Sequence, residues 1–218
     1  ASDDILQTSV DAGSNWANDD HATGDSTSLS TSITLASGTS AIHIRITDDA
    51  GNSGTADTTS YTLDTTAPTI SYSSVDISAD TGSSATDFIT KTAAQTLTAT
   101  LSAALASDDI LQTSVNAGSS WTNDDHNTAA GTSLSTAITL SGSSAIHIRI
   151  TDDAGNSGTA STTSYTLDTT APTISFSSVD ISTDSGTSDS DFNTNTASQT
   201  LTATLSAALA SDDILQTS

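Results

Sequence analysis

Hydrophobic residues alternate with serine and threonine in short runs along the whole chain, and no run has a helical period. QTLTATLSAAL at 95–105 alternates leucine and alanine with threonine, and AIHIRITDD at 145–153 alternates isoleucine with histidine, arginine and threonine. Because successive side chains of a strand point to opposite faces, this period of two predicts half-buried β-strands. TTSYTLD, LSTAITL and DILQTSV supply three further strands of the same kind.

A change of parity interrupts one of these runs. TISYSSVDIS at 69–78 alternates up to Tyr72 and then shifts by one position before Val75. Such a shift predicts a β-bulge or a switch of the strand between sheets. Turn sequences such as NAGSSW and LSGSSA separate the runs. About seven short antiparallel strands per hundred residues predict an all-β fold of tandem immunoglobulin-like (Ig-like) β-sandwiches stacked end to end.

The chain repeats itself. ASDDILQTS begins at residues 1, 106 and 210, and nearly everything between these copies recurs. A period near 104 residues is too long for solenoid or propeller repeats of roughly 20–50 residues and suits whole domains in tandem. We predict the C-terminal part of one Ig-like repeat at 1–65, a complete repeat at 66–169 and the N-terminal part of a third at 170–218.

This frame is out of phase with the predicted domains. We therefore expect the chain to be a piece of a longer array, in which neighbouring repeats of the same chain are the partners. Alternatively, the incomplete terminal domains of neighbouring molecules complement one another end to end, as in strand donation.

Proline occurs only twice, as Pro68 and Pro172, each time within TTAPT. Proline fixes φ and donates no amide hydrogen, so it suits a linker or the first position of a strand and would damage a central strand. A linker of five residues that includes proline is stiffer than a Gly/Ser tether. The two prolines therefore predict short, stiffened joints between sandwiches.

The chain is strongly acidic. The 26 acidic residues are all aspartate and stand against three basic ones, for a formal net charge of -23. Such a surface repels nucleic acid and anionic membranes and attracts metal cations. No apolar run approaches the roughly 18 residues of a membrane span, and no signal peptide is visible. The absence of cysteine excludes disulfides and thiolate metal sites. We expect no nucleic-acid partner and no direct membrane insertion.

Many aspartates fall in the loops that meet when sandwiches stack end to end. We letter the predicted strands of the complete repeat A to G in chain order. Because their directions alternate, the A–B loop (ISADTGSSATDFIT, 77–90) lies at one pole, and the B–C loop (LASDDI, 105–110) and the F–G loop (TDDAGN, 151–156) lie at the other. The joint at Pro68 is expected to gather Asp64, Asp108, Asp109, Asp152 and Asp153. The joint at Pro172 is expected to gather Asp80, Asp87 and Asp168 with Asp212 and Asp213, and the third A–B loop carries Asp184 and Asp191.

Several carboxylates at one joint repel one another unless a cation binds between them. Ca²⁺ takes six to eight oxygen ligands with tolerant geometry, whereas Mg²⁺ prefers a tighter octahedron. Calcium is therefore the predicted cofactor, and the aspartates of the two joints and of the third A–B loop are its predicted ligands. The alternative is that aspartate serves turn formation and solubility.

Four motifs resemble a known family: LDTTAPTIS, DTGSSATDFIT, SVNAGSSWT and ITDDAGNSGT. They resemble the bacterial Ig-like extender repeats of giant RTX-type adhesins, and the period is similar to that of the repeats in Marinomonas ice-binding adhesins. The resemblance covers essentially the whole chain. It implies type I secretion, anchoring at the outer membrane, and a calcium-stiffened spacer that holds ligand-binding domains away from the cell. Lys91 departs from the family pattern and is expected to weaken a nearby cation site.

The residues favour a spacer over an enzyme or a recognition module. The chain contains no G-x-S-x-G, no H-E-x-x-H and no Gly-rich phosphate loop, so we expect no enzymatic activity. The serious alternative is a recognition module that binds a carbohydrate or protein directly in cell adhesion or biofilms. Such a module is expected to carry an apolar patch unique to one repeat. The repeats are nearly identical, with threonine and serine facing outward, which favours a spacer.

The tryptophans and histidines are expected to serve packing or to face solvent, and not to bind a ligand. Trp16 and Trp121 are expected to plug the sandwich or its rim, with sugar stacking as the alternative. His43 and His147 alternate with buried isoleucines and indicate a solvated face. The loop histidines that follow NDD, at 21 and 126, are expected to be solvated, with metal binding as the alternative.

Overall fold

The computed structural model describes residues 4–19, 28–124 and 131–218, and these residues form strands and loops without a helix. Among them there is accordingly no helical segment long and apolar enough to cross a membrane. The chain divides into two compact units, Ala1–Asp168 and Thr169–Ser218. The fold is all-β, as the alternating pattern predicts. The division into three repeats at 1–65, 66–169 and 170–218 stays a prediction.

The first unit begins with a four-stranded antiparallel sheet in the order β2-β1-β3-β4. Its strands are β1 (Ile5–Ser9), β2 (Ala17–Asp19), β3 (Gly38–Thr47) and β4 (Asp57–Leu63). β1 and β3 are the predicted runs DILQTSV and AIHIRITDD, and β4 is the predicted run TTSYTLD. We call this the first sheet.

The rest of the first unit is a β-sandwich of two sheets. The three-stranded sheet has the order β10-β7-β5, and the five-stranded sheet has the order β6-β12-β11-β8-β9. The strands are β5 (Tyr72–Ile77), β6 (Ile89–Thr90), β7 (Ala94–Leu101), β8 (Ile110–Ser114), β9 (Thr122–Asn123), β10 (Ser133–Thr139), β11 (Ser143–Thr151) and β12 (Ser161–Leu167). All pairs are antiparallel except β6 with β12, which is parallel.

The core lies between these two sheets. From the three-stranded sheet it takes Leu97 and Leu101, and from the five-stranded sheet Ile146, Ile148 and Ile150, all at most 2 % exposed. These are the alternating residues that the sequence predicts to face inward. Each such side chain stabilises the fold by about 1.5–3 kcal/mol on burial. The sandwich is therefore held by the alternation itself.

Both predicted forms of irregularity occur after Tyr72. The pairing of β5 with β7 shifts register between Ser73 and Asp76, and Ser74 has a left-handed φ of 50°. This is the predicted bulge. The chain then crosses to the other sheet, where β6 pairs with β12. The sequence did not predict β6 or β9, because a strand of two residues is too short to show alternation.

The second unit is a hairpin of β13 (Phe176–Ile181) and β14 (Leu201–Leu205). It repeats the pairing of β5 with β7, including the register shift, here between Ser177 and Asp180. The bulge is therefore encoded locally, since it forms without the opposing sheet.

One predicted strand is present in only one of its two copies. LSTAITL forms β10, which pairs along its length with β7. The corresponding segment at 29–35 forms no strand. Among the described residues, the first sheet has the order β2-β1-β3-β4 and includes no counterpart of β7.

Candidate cation sites at the two poles of the sandwich

A buried polar network shapes the A–B loop, which connects β5 to β7. Gln95 is buried; its Oε1 accepts a hydrogen bond from the Ala79 amide at 2.8 Å, and its Nε2 donates to the Ala79 carbonyl at 3.1 Å. The buried Thr90 hydroxyl donates to the same carbonyl at 2.6 Å. Because these groups are satisfied inside the protein, the loop is rigid. It carries the predicted ligands Asp80 and Asp87.

The two carboxylate oxygens of Asp80 have different surroundings. Oδ2 accepts a hydrogen bond of 2.9 Å from the amide of Phe88, which is held at a left-handed φ of 61°. Oδ1 is buried and has no hydrogen-bond partner. Burying a charged oxygen without a donor is costly. A cation beside Oδ1 would offset this cost, whereas Oδ2 braces the loop through its hydrogen bond to the Phe88 amide.

The parallel pairing of β6 with β12 brings the linker to this loop. Ile89 lies opposite Thr166, and the amide of Asp168 donates to the Thr90 carbonyl at 2.9 Å. Asp87 accepts the Ile89 amide at 3.1 Å. The predicted residues of the A–B loop and of the following linker therefore lie at one end of the sandwich, which we call the linker pole.

The second unit repeats the A–B loop. Asp184 Oδ2 accepts the Phe192 amide at 2.9 Å, and Asp184 Oδ1 is again buried without a partner. Asp191 accepts the Asn193 amide at 3.0 Å. The arrangement is thus a property of the loop sequence. The effect of Lys91 on a cation at the first of these loops stays a prediction.

At the opposite pole, four predicted residues line one open cleft of about 390 Å³: Asp64, Asp108, Asp109 and Asp152. They come from the preceding linker, the B–C loop and the F–G loop, as stacking predicts. Pro68 lines the same cleft. We call this the proline pole. The exposed Asp153 does not line it.

Two of these carboxylates accept hydrogen bonds from residues three or four positions away in the sequence. Asp152 is 7 % exposed, and its two oxygens accept from the side-chain and backbone nitrogens of Asn156 at 2.9 and 2.8 Å. These bonds, the side-chain bond foremost, lower the pKa of Asp152. Asp109 Oδ2 accepts the Ala106 amide at 2.8 Å. Asp152 thus closes the F–G turn.

The linker is docked at the proline pole by two residues that the sequence analysis missed. Asn156 Nδ2 donates to the carbonyl of Asp64 at 3.1 Å. A Cβ added to Gly158 would lie 2.5 Å from the Pro68 carbonyl oxygen, whereas one added to the matching Gly54 meets only a carbonyl at 3.7 Å. Asn52 and Gly54 occupy the matching positions of the first repeat.

Tyr72 lies beside this pole with its hydroxyl buried and without a hydrogen-bond partner. Burial, and secondarily the negative charge of Asp109, raises the pKa of Tyr72 to about 12. The matching residue in the second unit is Phe176. The chain itself therefore accommodates a phenyl ring at this position.

Tyr72→Phe is expected to stabilise the sandwich by about 1 kcal/mol, because it removes an unsatisfied buried hydroxyl. The raised pKa makes the tyrosine's contribution fully present below its unfolded pKa near 10 and lost as pH rises towards 12. The variant's gain should therefore widen in that window. Urea unfolding of both proteins at pH 8 and pH 11 measures it; a destabilised variant would mean that the hydroxyl has a water or cation partner.

The donor chemistry at both poles fits calcium, since carboxylate and carbonyl oxygens are its preferred ligands. In the ranges described, however, no three histidine, cysteine or acidic side chains form a group that could hold a metal. In the second unit, Asp213 Oδ2 accepts the Ala210 amide at 2.9 Å and Asp212 is exposed. That Asp212 and Asp213 face the linker pole stays a prediction.

The tryptophans do not plug the interior of the sandwich. Trp121 packs on the outer face of the five-stranded sheet, where the Arg149 guanidinium lies 3.9 Å from its ring centre and His147 meets it edge-on at 6.1 Å. Trp16 and Arg45 repeat the stack at 3.8 Å. Both tryptophans therefore cover the outside of a sheet, and His147 belongs to a packed cluster. The histidines at 21 and 126 lie outside the described residues.

The fold defines the chain as an all-β protein that contains a β-sandwich. No protein-family model matches it, and no curated protein is similar to it. A crystal structure of a tetra-tandem repeat in the extending region of a large adhesion protein is similar to it at 18% identity and a TM-score of 0.27. The matched region covers 80% of this chain and 44% of the chain in that structure.

Proposed function

We propose that the chain is a structural extender of a large bacterial surface adhesin, a calcium-stiffened rod that projects ligand-binding domains away from the cell. The proposal rests on the linker at the proline pole, which contacts the sandwich at two points. Asp64 is tied to Asn156 at 3.1 Å, and Pro68 packs on Gly158 too closely for a side chain. A joint held in this way transmits direction from one repeat to the next, whereas a free tether does not.

Calcium supplies the second part of the proposal. At the linker pole, Asp80 Oδ1 is buried without a partner, next to the strand that leads into the linker. We propose that Ca²⁺ binds there with Asp87 and Asp168, and at the proline pole with Asp64 and Asp109. A cation that joins a loop to a linker restricts the hinge between repeats. Asp152 would act by holding the F–G turn.

We propose an extracellular location on the bacterial surface, with the neighbouring repeats of the same chain as direct partners and no catalytic role. Secretion by a type I route, membership of the RTX-type adhesins and kinship with the Marinomonas repeats belong to the same proposal. They rest on the sequence motifs.

A recognition module is the second candidate, and one observation favours it. The stack of Trp121 with Arg149 lies on an outer sheet face, where an aromatic ring could contact a sugar or protein. The stack recurs with Trp16 and Arg45. Recurrence in nearly identical repeats fits a local structural role better than a specific site.

The proposal is tested by small-angle scattering of several complete repeats in Ca²⁺ and in EDTA. An extender with cation-locked joints should be longest and most rigid in Ca²⁺. Carbohydrate or protein binding by the isolated repeats would favour the recognition module.

A further inference from the structure

Most of β12 has an unpaired backbone edge. The amide of Thr166 donates to the Phe88 carbonyl at 3.0 Å, and this bond joins the end of the strand to β6. Because alternate amides of a strand point to the same side, those of Thr162 and Ser164 also face that side. No strand of the described residues pairs with them there. Ser161–Tyr165 is therefore an open edge of the five-stranded sheet.

This edge lies on the flank of a complete sandwich, since β12 and its neighbours β6 and β11 all fall within the predicted repeat at 66–169. It also lacks the features that keep sheet edges apart, which are charges and bulges. β5, the outer strand of the other sheet, has the bulge and Asp76. β4, the strand that matches β12, begins with Asp57 where β12 has Ser161. No charged residue occurs in SGTASTTSYTL at 157–167.

A second copy of β12 fits this edge. Two copies of a chain with a formal net charge of -23 repel each other, so they approach most closely where neither carries a charge. Antiparallel pairing centred on Thr163 uses the whole open edge and places Thr162 of each copy opposite Ser164 of the other. These two residues would exchange both backbone hydrogen bonds, and their hydroxyls form a favourable cross-strand pair.

The two ends of the edge are also complementary. Ile89, at the start of β6, is 50% exposed. Beside the other end of the edge lies an open cleft of about 510 Å³ between the linker and the start of β12, lined in part by Pro68, Ile70 and Ala160. In an antiparallel pair, the β6 end of each copy lies beside the cleft end of the other. Ile89 of each copy can therefore pack at the cleft of its partner.

We propose that the chain binds a second copy of itself through an antiparallel β12–β12 contact, with a two-fold axis at Thr163. Such a contact uses the same surface on both copies and stops at two chains. A contact of this size is weak, and several of them along two aligned arrays would add to one another. The two chains point in opposite directions. Under the extender function proposed above, on which this consequence alone rests, the contact joins rods that project from facing cells.

Sedimentation of the full chain over a wide range of concentration tests the contact. The wild-type chain is expected to show a monomer–dimer equilibrium that is the same in Ca²⁺ and in EDTA and is strengthened by salt, which screens the repulsion. Ser164→Pro removes an outward amide and places the proline ring where the partner strand would lie, while the bonds to β11 are kept. It should raise the dimer dissociation constant at least about 30-fold, since each copy loses a hydrogen bond.

A pair of charge variants locates the contact. Ser161→Asp gives β12 the aspartate that β4 has at the matching position, and it should weaken the dimer about 10-fold because a charge then lies beside the partner strand. Thr100→Asp adds the same charge to the exposed outer face of the three-stranded sheet and should dimerise like the wild type. Thermal unfolding of each variant at low concentration verifies that it is folded.

Thr163→Cys tests the register, because the chain has no cysteine of its own. Two thiols that face each other across the axis are close enough for a disulfide, so mild oxidation should give covalent dimers. Ser161→Cys, two positions from the axis, should give far fewer. A chain that stays monomeric, a dimer that Ser164→Pro leaves unchanged, or equal cross-linking at both positions would overturn the proposal. The stiffness of the rod in Ca²⁺ is a separate measurement, so such a result would leave the extender function standing.

Discussion

Calcium at about a hundredfold excess over its dissociation constant is expected to raise the melting temperature of the sandwich by roughly 10–20 °C. A ligand that binds only the folded state stabilises it by about 2.7 kcal/mol at this excess. For a domain of about 100 residues, each kcal/mol shifts the midpoint by roughly 4–8 °C. Differential scanning calorimetry in Ca²⁺ and in EDTA measures the shift.

Asp80→Asn is expected to remove the part of this rise that comes from the linker pole. The amide oxygen can still accept the Phe88 amide bond that Asp80 Oδ2 makes at 2.9 Å. The charge of the buried and unpartnered Oδ1 is lost, and with it the attraction for a cation. In EDTA the variant should be as stable as the wild type or more so, because no unpaired charge is buried.

Asp76→Asn is the matched control, since Asp76 lies exposed on β5 and accepts only the adjacent Ile77 amide. It should respond to calcium like the wild type. A full calcium response in Asp80→Asn would contradict the assignment of Asp80 as a ligand. A loss of stability in EDTA would mean that its role is to brace the loop.

Gly158→Ala is expected to destabilise the first unit by about 1–3 kcal/mol, the range found for overpacked positions. The new Cβ would lie 2.5 Å from the Pro68 carbonyl oxygen, so either the linker or the start of β12 must move. Neither group is a flexible side chain that can turn away. Guanidinium unfolding measures the free energy, and hydrogen exchange of the linker amides locates the change.

Gly54→Ala is the control for this substitution. Gly54 has the same neighbours in sequence, but the nearest atom to its added Cβ is the Ile46 carbonyl oxygen at 3.7 Å. The change should stay within about 0.5 kcal/mol. Equal effects of the two substitutions would mean that the docked linker does not set the cost at Gly158.

The strands and the bulge could be predicted because their signals are local. Alternation places Leu97 and Ile148 in the core, and the parity change after Tyr72 marks the register shift, which even the isolated hairpin of the second unit retains. The short strands β6 and β9 have no period to detect. They exist because neighbouring long strands present open edges to them.

Some residues of the candidate sites could likewise be predicted from the sequence, and others could not. The shared cleft of Asp64, Asp108, Asp109 and Asp152 could be predicted, since strand alternation fixes which loops share an end. Gly158 and Asn156 could not, because their contacts with the linker join residues far apart in the chain and leave no local sequence signal. The outward packing of Trp121 was also missed, since its partner Arg149 is far away in the chain and the stack is tertiary.

Scattering from four tandem copies of 66–169 tests the central claim most directly. Since 66–169 is the predicted complete repeat, this array leaves out the two incomplete terminal parts, and end-to-end complementation is not expected to contribute. We expect a rod in Ca²⁺ whose maximum dimension falls, or whose distance distribution broadens, when EDTA is added. An identical rod in both solutions would mean that proline and linker docking alone stiffen the joints. A compact particle in both would contradict the extender function itself.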